Sequence, residues 1–242
     1  MDRIRHVVHN ALVDDRARVA RQFEGIASRT DKVTFAKFLV VYCAQGGQLA
    51  EWLTDWNQLM GDGAIANGQG ELAAGLMEAS RYFRLRHSAL QKDRQTLVQW
   101  LMGNVDGDWT AIDSSPCVSS GMKQLRHLFQ SCLKRKRFVT WVMVINEIER
   151  LRIIHSVTLI KLCEVFFGRK ILGCFSHIQH QHQQGNALFW LCDNLLATGI
   201  KKLPVDVDVV IEDVKSSIQA YTQYIESCFK LASQGEPCVT KV

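Results

Sequence analysis

Apolar residues recur along this chain at spacings of three, four and seven, the period of a helix rather than a strand. The clearest stretch runs from Lys32 to about Asn57, where Phe35, Phe38, Leu39, Tyr42, Leu49, Trp52, Leu53 and Trp56 fall on one face. Ser28 and Thr30 are its candidate N-caps, since a hydroxyl oxygen can accept from the orphan amides of a first turn. Gly46 and Gly47 sit midway and leave room for a kink or a closely approaching neighbour, packing being the simpler reason. A turn around Gly61, Asp62, Gly63, Asn67 and Gly68 leads into a second helix from Glu71 to about Met102, with a break expected near residues 88–93.

Residues 103–117 form the longest irregular connection and read as a cap or lid, because loops of this length are uncommon in compact helical domains. Helical pattern resumes over 118–136, 138–167 and 170–197, a turn follows at 199–204, and a last helix starts near Asp206. Valine and aspartate alternate over Val205 to Val210, yet Val210, Val214, Ile218, Tyr221, Ile225 and Phe229 continue with helical period, so this segment is predicted helical. The 138–167 stretch is apolar on nearly every face and is expected at the centre, surrounded by other helices. The three prolines, Pro116, Pro204 and Pro237, lie where periodicity lapses. The fold class predicted is all-α: a single-domain bundle of about seven helices over residues 1–232, with a tail at 233–242.

Composition narrows the classes of function. A chain of 242 residues, 47% hydrophobic and 22% charged, can bury a core without staples. Its eight cysteines include no CxxC pair and mostly lie in apolar stretches, so they read as reduced core thiols of a cytoplasmic protein. The N-terminal residues lack the apolar segment of a secretory signal, and the longest apolar run is well short of the ~18 residues of a membrane span. A net charge of +5 with one dense basic run, Lys134 to Arg137, disfavours a nucleic-acid partner; the run ends a predicted helix, where positive charge suits the dipole. GxSxG, P-loop, HExxH and zinc-finger spacings are absent from the sequence.

Three groups of residues invite chemistry. Glu147 lies on the apolar central stretch with Met143, Val144, Leu151 and Ile154 around it, so it must bind a cation, find hydrogen bonds or take up a proton. A structural partner among Arg81, Arg84 and Arg86 and a functional role stand level, while Glu149 is accounted for by an ion pair with Arg152 at the bundle edge. Glu71 and Glu78, seven apart, share a helix face, but His87 points nearly opposite unless a kink intervenes; solvated glutamates are the plainer reading. Near the end, His177, His180, Gln181 and Gln184 occupy one arc of about 60° on a helix, so at most two histidines converge. Cys43, Cys163 and Cys174 are read as small core residues rather than nucleophiles.

Taken together, Phe35-Ala-Lys-Phe-Leu-Val-Val-Tyr42, Glu78 followed by His87, and His177-Ile-Gln-His180 after Glu147 resemble the heme oxygenase-like fold superfamily. The likeness is nearest its non-heme di-iron oxidases, which are related to TenA thiaminases and pyrroloquinoline quinone synthase. The resemblance implies an iron-dependent oxidase that acts with dioxygen on a small organic substrate and holds one or two iron ions. It implies Glu71 or Glu78, His87, Glu147 and His177 as ligands, with His180 as a substitute. The chain departs from that family where the late motif wants aspartate and histidine, since Gln181 and Gln184 are neutral amides and poor iron ligands. Two alternatives follow: a non-catalytic helical ligand-binding protein with a degenerate metal site, and a metal-free enzyme of the TenA or quinone-synthase kind with an organic molecule beside Glu147. Neither a membrane nor a nucleic-acid partner is expected, and a homodimer is left open.

Overall fold

The computed structural model describes residues 2–104, 118–168, 188, 190–196 and 205–234, and every regular element among them is helical. The helices with printed bounds among the described residues are, in order, α1 (Asp2–Ala11), α2 (Val13–Ala27), α3 (Lys32–Ala66), α4 (Gly70–Asn104), α5 (Ser120–Lys134), α6 (Phe138–Phe167) and α7 (Val207–Gln234), and residues 190–196 are helical as well. The expected all-α bundle is what the chain forms. Among the described residues, no helix is long and apolar enough to cross a membrane.

Local chemistry sets the helix starts. Asp31, rather than Ser28 or Thr30, caps α3: its Oδ1 accepts from the amides of Val33 and Thr34 at 2.9 Å each. Ser28 and Thr30 instead turn their hydroxyls back onto the carbonyls of Gly25 and Ile26 at the end of α2. Ser119 caps α5 by accepting from the Met122 amide, and Asp206 caps α7 by accepting from the amides of Asp208 and Val209.

Both interruptions expected in the long helices are absent. α3 runs through Gly61 and Gly63 to Ala66, because Gly61 serves close packing: a Cβ there would lie 2.8 Å from the Met77 methyl and 3.6 Å from the Ala73 carbonyl oxygen of α4. α4 continues through residues 88–93, with Leu90 and Asp93 both buried on one face of an unbroken helix. The chain reverses between α3 and α4 at Gly68, whose φ of 71° lies in the left-handed region that glycine enters without strain.

α3 and α4 pair along their length, and α7 packs against α3, α5 and α6. Gly121 of α5 lies directly on the α7 backbone, where a Cβ would collide with the Tyr224 amide and the Ala220 carbonyl. α6 is the central helix, as its all-round hydrophobicity predicts, and residues 138–149 are buried without exception. The Trp141 indole of α6 donates to Asn57 Oδ1 of α3 at 2.9 Å. Phe38 of α3 stacks on Phe229 of α7 with ring centroids 3.8 Å apart. Glu147, Glu149, Arg152 and His155 are therefore placed inside the bundle by the same apolar helix that forms its core.

Candidate functional site

A charge on α6 must be answered by a neighbouring helix, and for Glu147 the answer comes from α2. Val8, Leu12, Val19, Phe23 and Ala27 form the buried stripe of α1 and α2, and Arg16, four residues after Leu12 and three before Val19, lies on that stripe. Its guanidinium therefore faces α6. Arg16 Nε donates to Glu147 Oε1 at 2.7 Å and Nη2 to Oε2 at 2.6 Å, a bidentate pair with both side chains largely buried. Arg150 Nε stands 4.0 Å from the same carboxylate. The cation that Glu147 demands is thus Arg16, not Arg81, Arg84 or Arg86.

This pair forms the floor of an open cleft of about 290 Å³, with Met143 and Leu196 as its apolar wall and His6, His9, Arg150 and Asp193 among its lining residues. Arg16 Nη1 approaches His9 Nδ1 at 3.0 Å. A guanidinium has only protons to give, so Nδ1 accepts and the imidazole proton sits on Nε2. Burial, then the charges of Arg16 and Arg150, lower the His9 pKa. A neutral His9 offers an N–H donor in the cleft that Arg150 also lines, and the wall of Met143 and Leu196 offers apolar contact.

Two residues further along α6, Glu149 is met from the other side. Arg86 Nη1 of α4 lies 2.8 Å from both carboxylate oxygens, Arg152 Nη1 donates to Oε1 at 3.0 Å, and the Tyr82 hydroxyl reaches Oε2 at 3.4 Å. Burial pushes the Glu149 carboxyl up, and Arg86 pulls it back. The pair with Arg152 is present as expected, but Glu149 is only 2% exposed and not at the bundle edge. On a helix apolar all round, the face that carries Glu149 is also interior. Tyr42, Tyr221 and Tyr224 join this cluster around a small sealed cavity.

Of the residues the resemblance nominated as iron ligands, Glu71, Glu78, His87 and Glu147 are described, and they stand apart from one another in their contacts. Glu71 and Glu78 are exposed, and His87 Nδ1 is 2.9 Å from the Gly47 carbonyl oxygen, which fixes its proton on Nδ1. Among the described residues, no three His, Cys, Asp or Glu side chains cluster so as to hold an ion. Arg16 bonds both carboxylate oxygens of Glu147 and places its own positive charge beside them. His177, His180, Gln181, Gln184, Cys174 and most of the 103–117 connection lie outside the described residues.

Cys43, Cys132, Cys163, Cys192 and Cys228 are buried free thiols, in keeping with the core role expected of them. Burial pushes Cys132 and Cys163 up to about 12, far from a reactive thiolate.

Sequence reasoning passed over Arg16 and His155, and offered Arg86 as a partner for Glu147 rather than for Glu149. Each stands on an apolar stripe: Arg16 between Leu12 and Val19, Arg86 between Phe83 and Leu90, His155 between Leu151 and Leu159. A charged or polar residue at a core position of the period is the signal that would have found them. The fold and its sites thus define an all-helical bundle whose central helix carries two arginine-held glutamates, one below an open cleft and one beside a sealed cavity. Compared with known proteins, the chain matches no family model, no curated protein and no solved structure.

Proposed function

We propose that this protein is a heme oxygenase-like helical bundle that binds a small organic anion in the cleft beside Glu147, without a metal ion. The observation that carries this reading is the bidentate Arg16–Glu147 pair at the floor of a cleft also lined by Arg150, His9 and the apolar side chains of Met143 and Leu196. Arg16 neutralises Glu147 and orients His9, whose Nε2–H then stands with Arg150 as a donor for a carboxylate or phosphate group. The apolar wall of Met143 and Leu196 takes the organic part, and the cleft volume suits a small molecule. Support for the fold assignment is the all-helical order and the central helix bearing the buried glutamate.

The iron-dependent oxidase is the second reading, favoured by one observation: Glu147, Asp193, His6 and His9, all side chains that iron accepts, line the same cleft. It requires Arg16 to leave Glu147. Calorimetric titration with acetate, benzoate, succinate and inorganic phosphate, alongside metal analysis of the purified protein, separates the two. The anion reading expects saturable binding of at least one of these, weakened at least tenfold in Arg150→Ala and His9→Ala proteins that remain folded. No binding of any of them, with stoichiometric iron that falls in His9→Ala, supports the oxidase instead.

A further inference from the structure

The basic run Lys134 to Arg137 ends α5 and turns directly into α6, beside an open pocket of about 630 Å³ bounded by that turn, the α3–α4 reversal and the start of α7. None of its lining residues belongs to the cleft below Glu147. α6 starts here without a side-chain cap. The Phe138 amide donates to the Lys136 carbonyl at 3.0 Å, but the next two amides, those of Val139 and Thr140, meet no acceptor among the described residues. Thr140 lines the pocket and is 3% exposed, and its hydroxyl makes no hydrogen bond among the described residues. Three unanswered donors in one buried turn are expensive unless something that accepts sits on them.

The charges of the lining point the same way. Arg135 and Lys136 are exposed and form no ion pair among the described residues, while Arg137 Nη1 donates to Asp213 Oδ2 at 2.8 Å. Asp206, the carboxylate of the lining, turns Oδ1 to its own helix as the cap of α7. Positive charge is therefore in excess even with Asp213 counted. We propose that this pocket binds a small organic phosphate, its phosphoryl oxygens on the Val139 and Thr140 amides, the Thr140 hydroxyl, Arg135 and Lys136, and its organic part against Val205 and Val209. A phosphate monoester presents several acceptor oxygens and negative charge together, which is what uncapped amides beside cations select. Water would answer the donors and leave the charge. The space is larger than a bare phosphate fills, and the valines of the lining give the remainder an apolar character. This site stands whether or not the cleft beside Glu147 takes an anion.

Titration of the full chain, labelled with nitrogen-15, with phenyl phosphate and separately with inorganic phosphate reads affinity and place together. The amide resonances of Val139 and Thr140 are expected to move saturably, with phenyl phosphate bound at least threefold more tightly than inorganic phosphate. The double variant Arg135→Gln/Lys136→Asn is expected to weaken phenyl phosphate at least tenfold; asparagine suits position 136, where φ is 51°. Thr140→Val, which keeps the shape and removes the hydroxyl, is expected to weaken it about fivefold. Shifts confined to His9 and Arg150 would put the ligand in the cleft and overturn the proposal. So would equal affinity for the two phosphates, the mark of an adventitious ion only, or unchanged affinity in both variants. Tighter binding of a ten-residue oligothymidylate than of phenyl phosphate would overturn it in favour of a nucleic-acid surface.

Discussion

Glu147 and Glu149 stand two residues apart on α6, and arginines from opposite sides of the bundle hold them, Arg16 of α2 on one and Arg86 of α4 on the other. The central helix is therefore pinned by charge as well as by packing. The two pairs differ in access, since Glu147 floors an open cleft and Glu149 is sealed.

Removing one partner of the first pair strands a buried charge. Arg16→Leu is expected to destabilise the protein by about 3 kcal/mol, in line with other broken buried pairs, while the double variant Arg16→Leu/Glu147→Leu recovers much of the loss. Urea unfolding of the four proteins in this cycle measures it. Losses that simply add would show that the two side chains do not act as a pair.

Exposed carboxylates should behave otherwise. Glu71→Ala and Glu78→Ala are expected to change stability by no more than about 0.5 kcal/mol, because both face water. Glu149→Gln, by contrast, leaves Arg86 and Arg152 facing each other without a carboxylate and should cost about 3 kcal/mol or more. The same urea midpoints rank all three.

His155 links stability to pH. It is 2% exposed, its ring lies 4.3 Å from that of Phe23 and 5.8 Å from that of Tyr221, and neither ring nitrogen has a hydrogen-bond partner. Burial lowers its pKa to about 4. The unfolded chain takes up a proton at this residue below its ordinary value near 6.5, and the folded one does so only near 4, so its linkage term lowers stability as pH falls through that window. Between pH 7.5 and pH 5 the loss is about 2 kcal/mol. The comparison is the unfolding free energy at both pH values for the unaltered protein and for His155→Phe, which should lose that part of the dependence; an identical pH slope in the two would refute the assignment.

Glycines separate close packing from open helix. Gly121→Ala should destabilise by about 2 kcal/mol or more, because its Cβ would meet the α7 backbone at Tyr224. Gly25→Ala, in α2 with nothing within 4 Å, should stabilise by roughly 0.5 kcal/mol through helix propensity. Thermal midpoints moving in opposite directions would bear this out.

The architecture was legible where period and polarity agree. The central helix appears at 138–167 as its pattern predicts, and α7 starts one residue from the expected place, because an all-round apolar or sharply striped segment has one stable solution. Gly61 and Gly63 misled for a physical reason: glycine marks both turns and close helix contacts, and the pattern alone does not tell them apart. Glu147 was recognisable as a buried carboxylate needing a cation, but its partner lies 131 positions away on a helix that was not assigned. Spacing along one helix cannot reveal which arginine of another will meet it. Glu71 and Glu78 were grouped because they share a helix face, and that face points to water for both, as the plainer reading of solvated glutamates expects.

The central claim is that the cleft beside Glu147 takes an organic anion rather than a metal. Nondenaturing mass spectrometry of the freshly purified chain, equilibrated with ferrous iron and with benzoate under anaerobic conditions, puts both candidates before the same site. The account predicts one benzoate adduct per chain, lost in Arg150→Ala, and no stoichiometric iron. One or two iron ions per chain, with no benzoate adduct, would contradict it.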